Sequence, residues 1–284
     1  MSDLPSVQRG KTSAPVRPPG ASGGPARAAR ALRGSLFFVL WIPYLLLIAS
    51  PLQRLLLWPA TLLLPSRRAR LAGAWLRAQG RFILFLSQRT AGVRVEVRGH
   101  LPGEPLVAVM NHQSVFDIPL VLALFHGAPP VIPTRERYKW YFPFLSPILR
   151  MARFPLVSQR PAALARDLDT LREAAGRVSR GENSILIFPE GHRSRTGRIG
   201  RFMRAGPRLI VAQSQRPVYT IVADGMWGAR TFTDALAALA LSRIRVVISG
   251  PFDPPSPDRA GEFLDELRDS MIATLEEIRR EAVP

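Results

Sequence analysis

The stretch LARDLDTLREAAGRVSRGENSILIFPEGHRSR, residues 164–195, decides the fold class. In its first part Leu164, Leu168, Leu171, Ala175 and Val178 advance by four, three, four and three residues, which places them on one face of an α-helix. Pro161 stands near the start of that helix and Gly181 just past its end, as start and stop signals. Ser184 to Phe188 (SILIF) is a short, uninterrupted apolar run of the kind found in a buried strand. A helix feeding directly into a buried strand is the repeating step of an α/β fold.

The same alternation extends in both directions. Upstream, Val93-Arg94-Val95-Glu96-Val97 alternates at period two, Leu106 to Met110 reads as a buried strand, Ile118 to Phe125 as a helix, and Val131-Ile132 as a further strand. Downstream, Val218 to Val222 and Ile244 to Ile248 are strands. Ser256-Pro257 opens a last helix whose Phe263, Leu267, Met271, Leu275 and Ile278 share a face. The expectation is one α/β domain over residues 67–284, with a mixed central sheet flanked by helices and no internal repeat.

Two different segments precede it. Residues 1–34 are rich in Gly, Pro, Ala and Ser, with Arg9, Lys11, Arg17, Arg27, Arg30 and Arg33 against a single Asp3. They read as a disordered basic tail. Residues 35–66 hold the most apolar run, broken by Pro43 and then by Gln53 and Arg54, with arginines at both ends. That layout predicts a membrane-embedded or re-entrant helical hairpin rather than one clean span, with both ends on the cytoplasmic side of a cytoplasmic membrane. It is too long for a secretory signal, and no small-residue cleavage site stands out.

The formal net charge is +18, and the only lysines are Lys11 and Lys139, so nearly all the positive charge is arginine. An anionic partner is expected: an acidic membrane face, a phosphorylated substrate or nucleic acid. No groove-entering motif or aromatic–basic sheet supports nucleic acid. The chain has no cysteine, which removes disulfides, thiolate zinc sites and a cysteine nucleophile. The cluster Tyr138-Lys139-Trp140-Tyr141-Phe142 suits either a lipid headgroup layer or packing beneath a turn.

Two constellations carry chemistry. The first is Asn111-His112-Gln113-Ser114-Val115-Phe116-Asp117, between a strand and a helix. Continuous helix would rotate His112 and Asp117 about 140° apart, so they meet only if a turn intervenes. A neutral imidazole is a competent general base near neutrality, and a carboxylate on its other nitrogen fixes the tautomer. The substrate's own hydroxyl then serves as the nucleophile. Ser114 is the rival nucleophile but lacks a Gly-x-Ser-x-Gly elbow. The bland alternative is that His112 caps the helix or satisfies a buried carbonyl. The second constellation is Phe188-Pro189-Glu190-Gly191-His192-Arg193-Ser194-Arg195, at the end of the SILIF strand. Gly191 permits close backbone approach, Arg193 offers a planar fork for phosphate, and Glu190 accepts a hydroxyl or positions Arg193. A solvated arginine-rich loop is the alternative for Arg195, Arg198 and Arg201.

These two blocks resemble the first and third motifs of the glycerolipid acyltransferases, the 1-acyl-sn-glycerol-3-phosphate acyltransferase-like family: Asn-His-x4-Asp and Phe-Pro-Glu-Gly-x-Arg-Ser. Phe154-Pro155-Leu156-Val157-Ser158-Gln159-Arg160 is similar to the second motif, and Pro217-Val218 to the short fourth. Two positions depart from the pattern: His192 stands where threonine is usual, and Ala152-Arg153 where a glycine is common. The resemblance implies an enzyme that moves a fatty acyl group from acyl-CoA or acyl carrier protein to the free hydroxyl of lysophosphatidic acid, at a membrane. It implies His112 and Asp117 as catalytic residues. Asn111, Arg160, Glu190, Gly191, Arg193 and Ser194 fall at the substrate, with Arg160 and Arg193 on the acceptor phosphate. Backbone amides near Gly191 face the oxyanion, and Pro217 and Val218 line the acyl channel. No metal or cofactor is implied beyond the acyl donor as co-substrate. Other lysophospholipid or lyso-aminolipid acceptors, a Ser114 hydrolase, and a non-catalytic basic lipid-binding protein are the competing readings.

Overall fold

The structure, a computed structural model, describes residues 24–227 and 238–282. Its centre is a six-stranded sheet in the order β1-β8-β7-β2-β6-β3. The strands are β1 (Arg94–Arg98), β2 (Val107–Met110), β3 (Pro130–Val131), β6 (Ser184–Ile187), β7 (Val218–Asp224) and β8 (Arg243–Phe252). A second, two-stranded sheet pairs β4 (Thr134–Arg135) with β5 (Leu156–Val157). Within the large sheet β3, β6, β2 and β7 run parallel, and direction reverses once, between β7 and β8. The sheet is therefore mixed, as the alternation of strands and helices predicts.

The period-two pleat sorts the apolar residues onto two faces. Ala108, Met110, Leu186 and Ile221 pack with Phe116, Leu120 and Phe125 from the chain after β2. Val107, Val109, Ile185, Ile187 and Val222 pack on the other face with three helices: α7 (Leu164–Ser179), α8 (Ala205–Gln213) and α9 (Ala260–Arg280). In α7 the predicted face is shifted: Leu171, Ala175 and Val178 are buried, Leu164 is exposed, and Asp167 takes a buried place instead.

The amino-terminal segment differs most from expectation. Residues 1–23 of the predicted tail lie outside the described residues, and residues 24–34 are helical rather than irregular. From Gly24 to Leu63 the chain forms one rod: α1 (Gly24–Pro43), a π turn over Tyr44–Ala49, α2 (Ser50–Leu52), a second π turn over Gln53–Leu57, and α3 (Trp58–Leu63). A hairpin inside residues 35–66 is thus corrected to a long first arm. Proline clashes with the carbonyl four residues back, and here Pro43, Pro51 and Pro59 stand at or close to wider π turns that give them room, so the rod continues. The reversal comes at Leu64, which leaves the helical region at φ −121°, ψ 66°. The return arm is α4 (Arg68–Ala91).

The buried face of α4 is Ala72, Gly73, Leu76, Gln79, Gly80, Ile83, Ser87 and Ala91, mostly small or polar. Small residues let backbones approach. A Cβ on Gly80 would stand 2.8 Å from the Pro119 carbonyl oxygen and 3.0 Å from the Ala123 nitrogen of α5 (Asp117–Leu124). The two arms are tied by polar pairs: Tyr44 donates to Gln79 at 3.2 Å and Trp75 to Gln53 at 2.9 Å.

This packing sets opposite outcomes for two glycine substitutions. Gly80→Ala gains about 1 kcal/mol of helix propensity. It meets rigid backbone, however, and overpacking of about 1–3 kcal/mol wins, so the unfolding midpoint falls. Gly176→Ala on α7 meets only the flexible end of Arg180 at 3.4 Å. It should stabilise by up to ~1 kcal/mol in denaturant unfolding.

Candidate active site

Strands β7, β2 and β6 are adjacent and parallel, so their carboxyl ends lie side by side at one edge of the sheet. Asp224 ends β7, Asn111 and His112 follow β2, and Pro189 and Glu190 follow β6. Sites in such sheets form where strand ends and their loops converge. Here the topology gathers both sequence constellations at that edge.

After β2 the chain turns sharply and α5 begins at Asp117. The buried carboxylate of Asp117 holds the turn closed: its Oδ2 accepts the amides of Gln113 and Ser114, each at 2.7 Å. The same oxygen lies 2.8 Å from His112 Nδ1. A carboxylate accepts only, so Nδ1 carries the proton and Nε2 presents the lone pair. The imidazole stacks on Phe188 at 4.1 Å, which fixes the ring plane. The turn required for His112 and Asp117 to meet is therefore present. Ser114 is fully buried and its Oγ accepts the Phe116 amide at 3.3 Å, so the rival nucleophile faces inward.

The main chain of His112 is gripped on both sides. Glu190 Oε1 accepts the His112 amide at 3.1 Å and Oε2 the Gly200 amide at 2.7 Å. The Ser194 amide donates to the His112 carbonyl at 2.7 Å, and Ser194 Oγ donates to the Arg198 carbonyl at 2.7 Å. Asn111 is committed as well: its amide group donates to the Ala223 carbonyl at 2.9 Å and accepts the Ala223 amide at 2.8 Å, extending the β2–β7 pairing. In this arrangement Asn111, Glu190 and Ser194 position the base, and their polar atoms are occupied by the protein rather than offered to substrate. Gly191 takes φ +70°, and a Cβ there would meet Met203 Sδ at 2.3 Å. Its amide donates to the Phe188 carbonyl at 3.0 Å.

Arg160 and Arg193 are both exposed. Arg160 ends a loop pinned from α7: Asp167 accepts the Ser158 amide at 2.9 Å and the Gln159 amide at 2.8 Å. In the same loop Arg153 sits at φ +53°, the left-handed conformation that makes glycine usual at this point of the related motif. Pro217 and Val218 lie elsewhere. Val218 is fully buried in the core and pairs with Val107, at the start of the strand whose far end leads to His112. Pro217 is exposed just ahead of β7 and Val218 is in the core, both at the opposite end of the sheet from His112. Among the described residues no three His, Cys, Asp or Glu side chains come together as a metal-ligand set.

One group was invisible in the sequence. Asp224 accepts a two-pronged ion pair from Arg279 of α9, both contacts at 2.9 Å, and the Gln113 side-chain amide at 2.9 Å. Arg279 also donates to the Gly197 carbonyl at 2.5 Å. The last helix thereby ties the loop after β6 to the loop after β2. The only hint in sequence is an acidic residue closing an apolar strand.

Burial pushes the Glu190 carboxyl above its ordinary range, against the opposing pull of the Gly200 and His112 amides. A raised acid favours the fold when protonated, so stability from this group is complete below the ordinary pKa and is lost as pH rises through the folded value. Glu190→Gln removes that titration but sets an NH2 against one of the two amide donors, at about 1–3 kcal/mol for an unsatisfied buried donor. Wild type should therefore exceed Glu190→Gln in stability, and denaturant unfolding should show the margin narrowing as pH rises from 4.5 towards neutrality.

Comparison with known proteins accords with this geometry. The family model described as Acyltransferase matches residues 92–224. The 1-acyl-sn-glycerol-3-phosphate acyltransferase of Saccharomyces cerevisiae is 24% identical over 207 residues, 72% of this chain and 66% of that protein. The enzyme of that name from Pseudomonas aeruginosa is 31% identical over 133 residues, 46% of this chain and 50% of that protein. The human alpha form is 26% identical over 201 residues, 70% and 69%. The chain thus spans half to about two thirds of the length of these curated relatives. The crystal structure of the 1-acyl-sn-glycerophosphate acyltransferase PlsC from Thermotoga maritima shares the fold, with a TM-score of 0.65 and 18% identity, over 89% of this chain and 98% of that one. The motif pair thus stands at one sheet edge of an acyltransferase domain over residues 92–224, in a chain similar to the glycerolipid acyltransferases.

Proposed function

We propose that the protein is a membrane-bound O-acyltransferase that esterifies the free hydroxyl of lysophosphatidic acid, giving phosphatidic acid. The observation that carries this reading is the 2.8 Å contact between His112 Nδ1 and Asp117, which leaves Nε2 as the base. Nε2 takes the proton from the acceptor hydroxyl as its oxygen attacks the thioester carbonyl of acyl-CoA or acyl carrier protein. The tetrahedral adduct collapses, the C–S bond breaks, and the imidazolium returns the proton to the leaving thiolate. Asp117 stabilises the charged ring throughout. The exposed Arg160 and Arg193 hold the acceptor phosphate, Arg160 on the loop that Asp167 braces. No group beyond the acyl donor is needed for these steps. The activity named for the relatives supports lysophosphatidic acid as acceptor.

The apolar rod supports the membrane location. Its segment Ala28–Leu63 is long and apolar enough to cross a bilayer by length and composition, and Leu47, Leu55, Leu56 and Leu63 are largely exposed. Past its midpoint Ser50, Gln53 and Arg54 donate to the Pro143 and Phe144 carbonyls of the catalytic domain. A rod fastened to the domain there and again at Phe37 and Phe38, which enter the core, is suited to lie in the bilayer surface, with the active site on the cytoplasmic face.

Transfer of a labelled acyl group from acyl-CoA to lysophosphatidic acid tests the reading. His112→Ala should lower kcat by roughly 10²–10⁴, the usual contribution of a general base, with membrane association retained. Asp117→Asn should also lose kcat, because the tautomer is no longer fixed. Arg160→Ala should act mainly on KM for the acceptor. Undiminished transfer by His112→Ala, or an aminolipid product without phosphatidic acid in a panel of lyso-lipids, would overturn the assignment.

A further inference from the structure

A second basic site lies away from His112, where the apolar rod meets the catalytic domain. A cavity of about 190 Å³ is lined by Arg54 of the rod, by Trp140, Tyr141 and Phe142, and by Ser146 and Arg150 at the start and end of a short helix. Helix α6 (Leu145–Met151) carries Arg150. The cavity is too small for a lipid or an acyl-CoA, whose sites run to roughly 300 Å³ or more. It holds the equivalent of roughly six waters, enough for one phosphate group.

Its cations lack anionic partners. The Arg150 guanidinium lies 5.3 Å from the Trp58 ring centre and 5.0 Å from that of Trp140, and its Nε is buried with no hydrogen-bond partner. Arg54 donates to the Pro143 carbonyl at 3.1 Å. Among the described residues no carboxylate is paired with either arginine, whereas Arg166, Arg172, Arg180 and Arg259 each meet one. Arg54 also interrupts the exposed leucines Leu47, Leu52, Leu55 and Leu56, a position that is costly inside hydrocarbon and natural at its boundary. Beside it Trp140 is 51%, Tyr141 96% and Phe142 45% exposed. Consecutive exposed aromatics beside arginines mark the headgroup level.

We propose that this pocket binds the phosphate of an anionic phospholipid of the bilayer, separately from the acceptor lipid, and so sets the depth and tilt at which the enzyme docks. The inference rests on the membrane reading above. Arg54 and Arg150 hold the phosphate from the rod and from the domain, while Trp140 to Phe142 enter the headgroup layer around it.

Co-sedimentation of the full chain with vesicles of phosphatidylcholine alone, or of phosphatidylcholine with phosphatidylglycerol, tests it. Arg54→Gln, at an exposed position that folding tolerates, should weaken binding to the anionic vesicles about fivefold, and Arg54→Gln with Arg150→Gln about thirtyfold. Binding to phosphatidylcholine should be unchanged, and Arg150→Lys should keep most of the anionic preference. Arg172→Gln with Arg259→Gln, an equal loss of charge elsewhere, should change little. Equal losses in both double variants would show diffuse attraction and overturn the site, as would no loss in the Arg54 and Arg150 pair. Displacement by matched inorganic phosphate would assign the pocket to soluble phosphate and overturn the lipid. Failure of the wild type to bind either vesicle would overturn the membrane reading itself.

Discussion

Asp117 is the constraint on which the site depends. One carboxylate oxygen accepts two backbone amides and faces His112 Nδ1, so closing the turn and orienting the base are one event. Hydrogen bonds to an ionised group are roughly twice as strong as neutral ones, which lets a five-residue turn be rigid without regular structure. An ordinary α-helix over these residues would put the two side chains on different faces. The turn in turn exists because β2 stops at Met110, where the Asn111 side chain takes over the pairing with β7.

Rigidity at His112 is then shared with the rest of the domain. Its amide is held by Glu190, its carbonyl by Ser194, and its ring by Phe188, all from the segment after β6. That segment is itself held from the carboxyl-terminal helix through Arg279, Asp224 and Gly197. Asn111, Asp117, Glu190 and Ser194 thus act chiefly on the protein itself, while Arg160 and Arg193 are left exposed to solvent. Under the proposed function, a site that accepts both an acyl donor and an acceptor gains from this division: a pre-formed base with its tautomer fixed, and adaptable cations at the rim.

The amino-terminal arms follow different packing rules from the sheet. The rod turns most of its leucines outward while Phe37 and Phe38 enter the core, and the buried face of α4 is mostly alanine, glycine, serine and glutamine. Close approach between α4 and α5 at Gly80 replaces bulky side-chain contact, and polar pairs such as Trp75 with Gln53 lock the register. The outward leucines are left for a different solvent.

The sequence by itself determined the α/β class, the strands over residues 106–110 and 184–188, the last helix, and the pairing of His112 with Asp117. These signals are local: periodicity of apolar residues and a five-residue offset around one turn. Helix α4 escaped because its buried stripe is small and polar, so hydrophobic periodicity does not mark it. Prolines disfavour a helix, so the sequence predicts a break in the rod, and only the π turns show how it continues. Contacts across long sequence separations were beyond reach as well. Asn111 with Ala223, Glu190 with Gly200, and Asp224 with Arg279 arise because parallel strands align their ends, and strand order is not written in any one segment. Residue types named the chemistry; the order of the sheet decided which of those residues touch the base and which stay exposed.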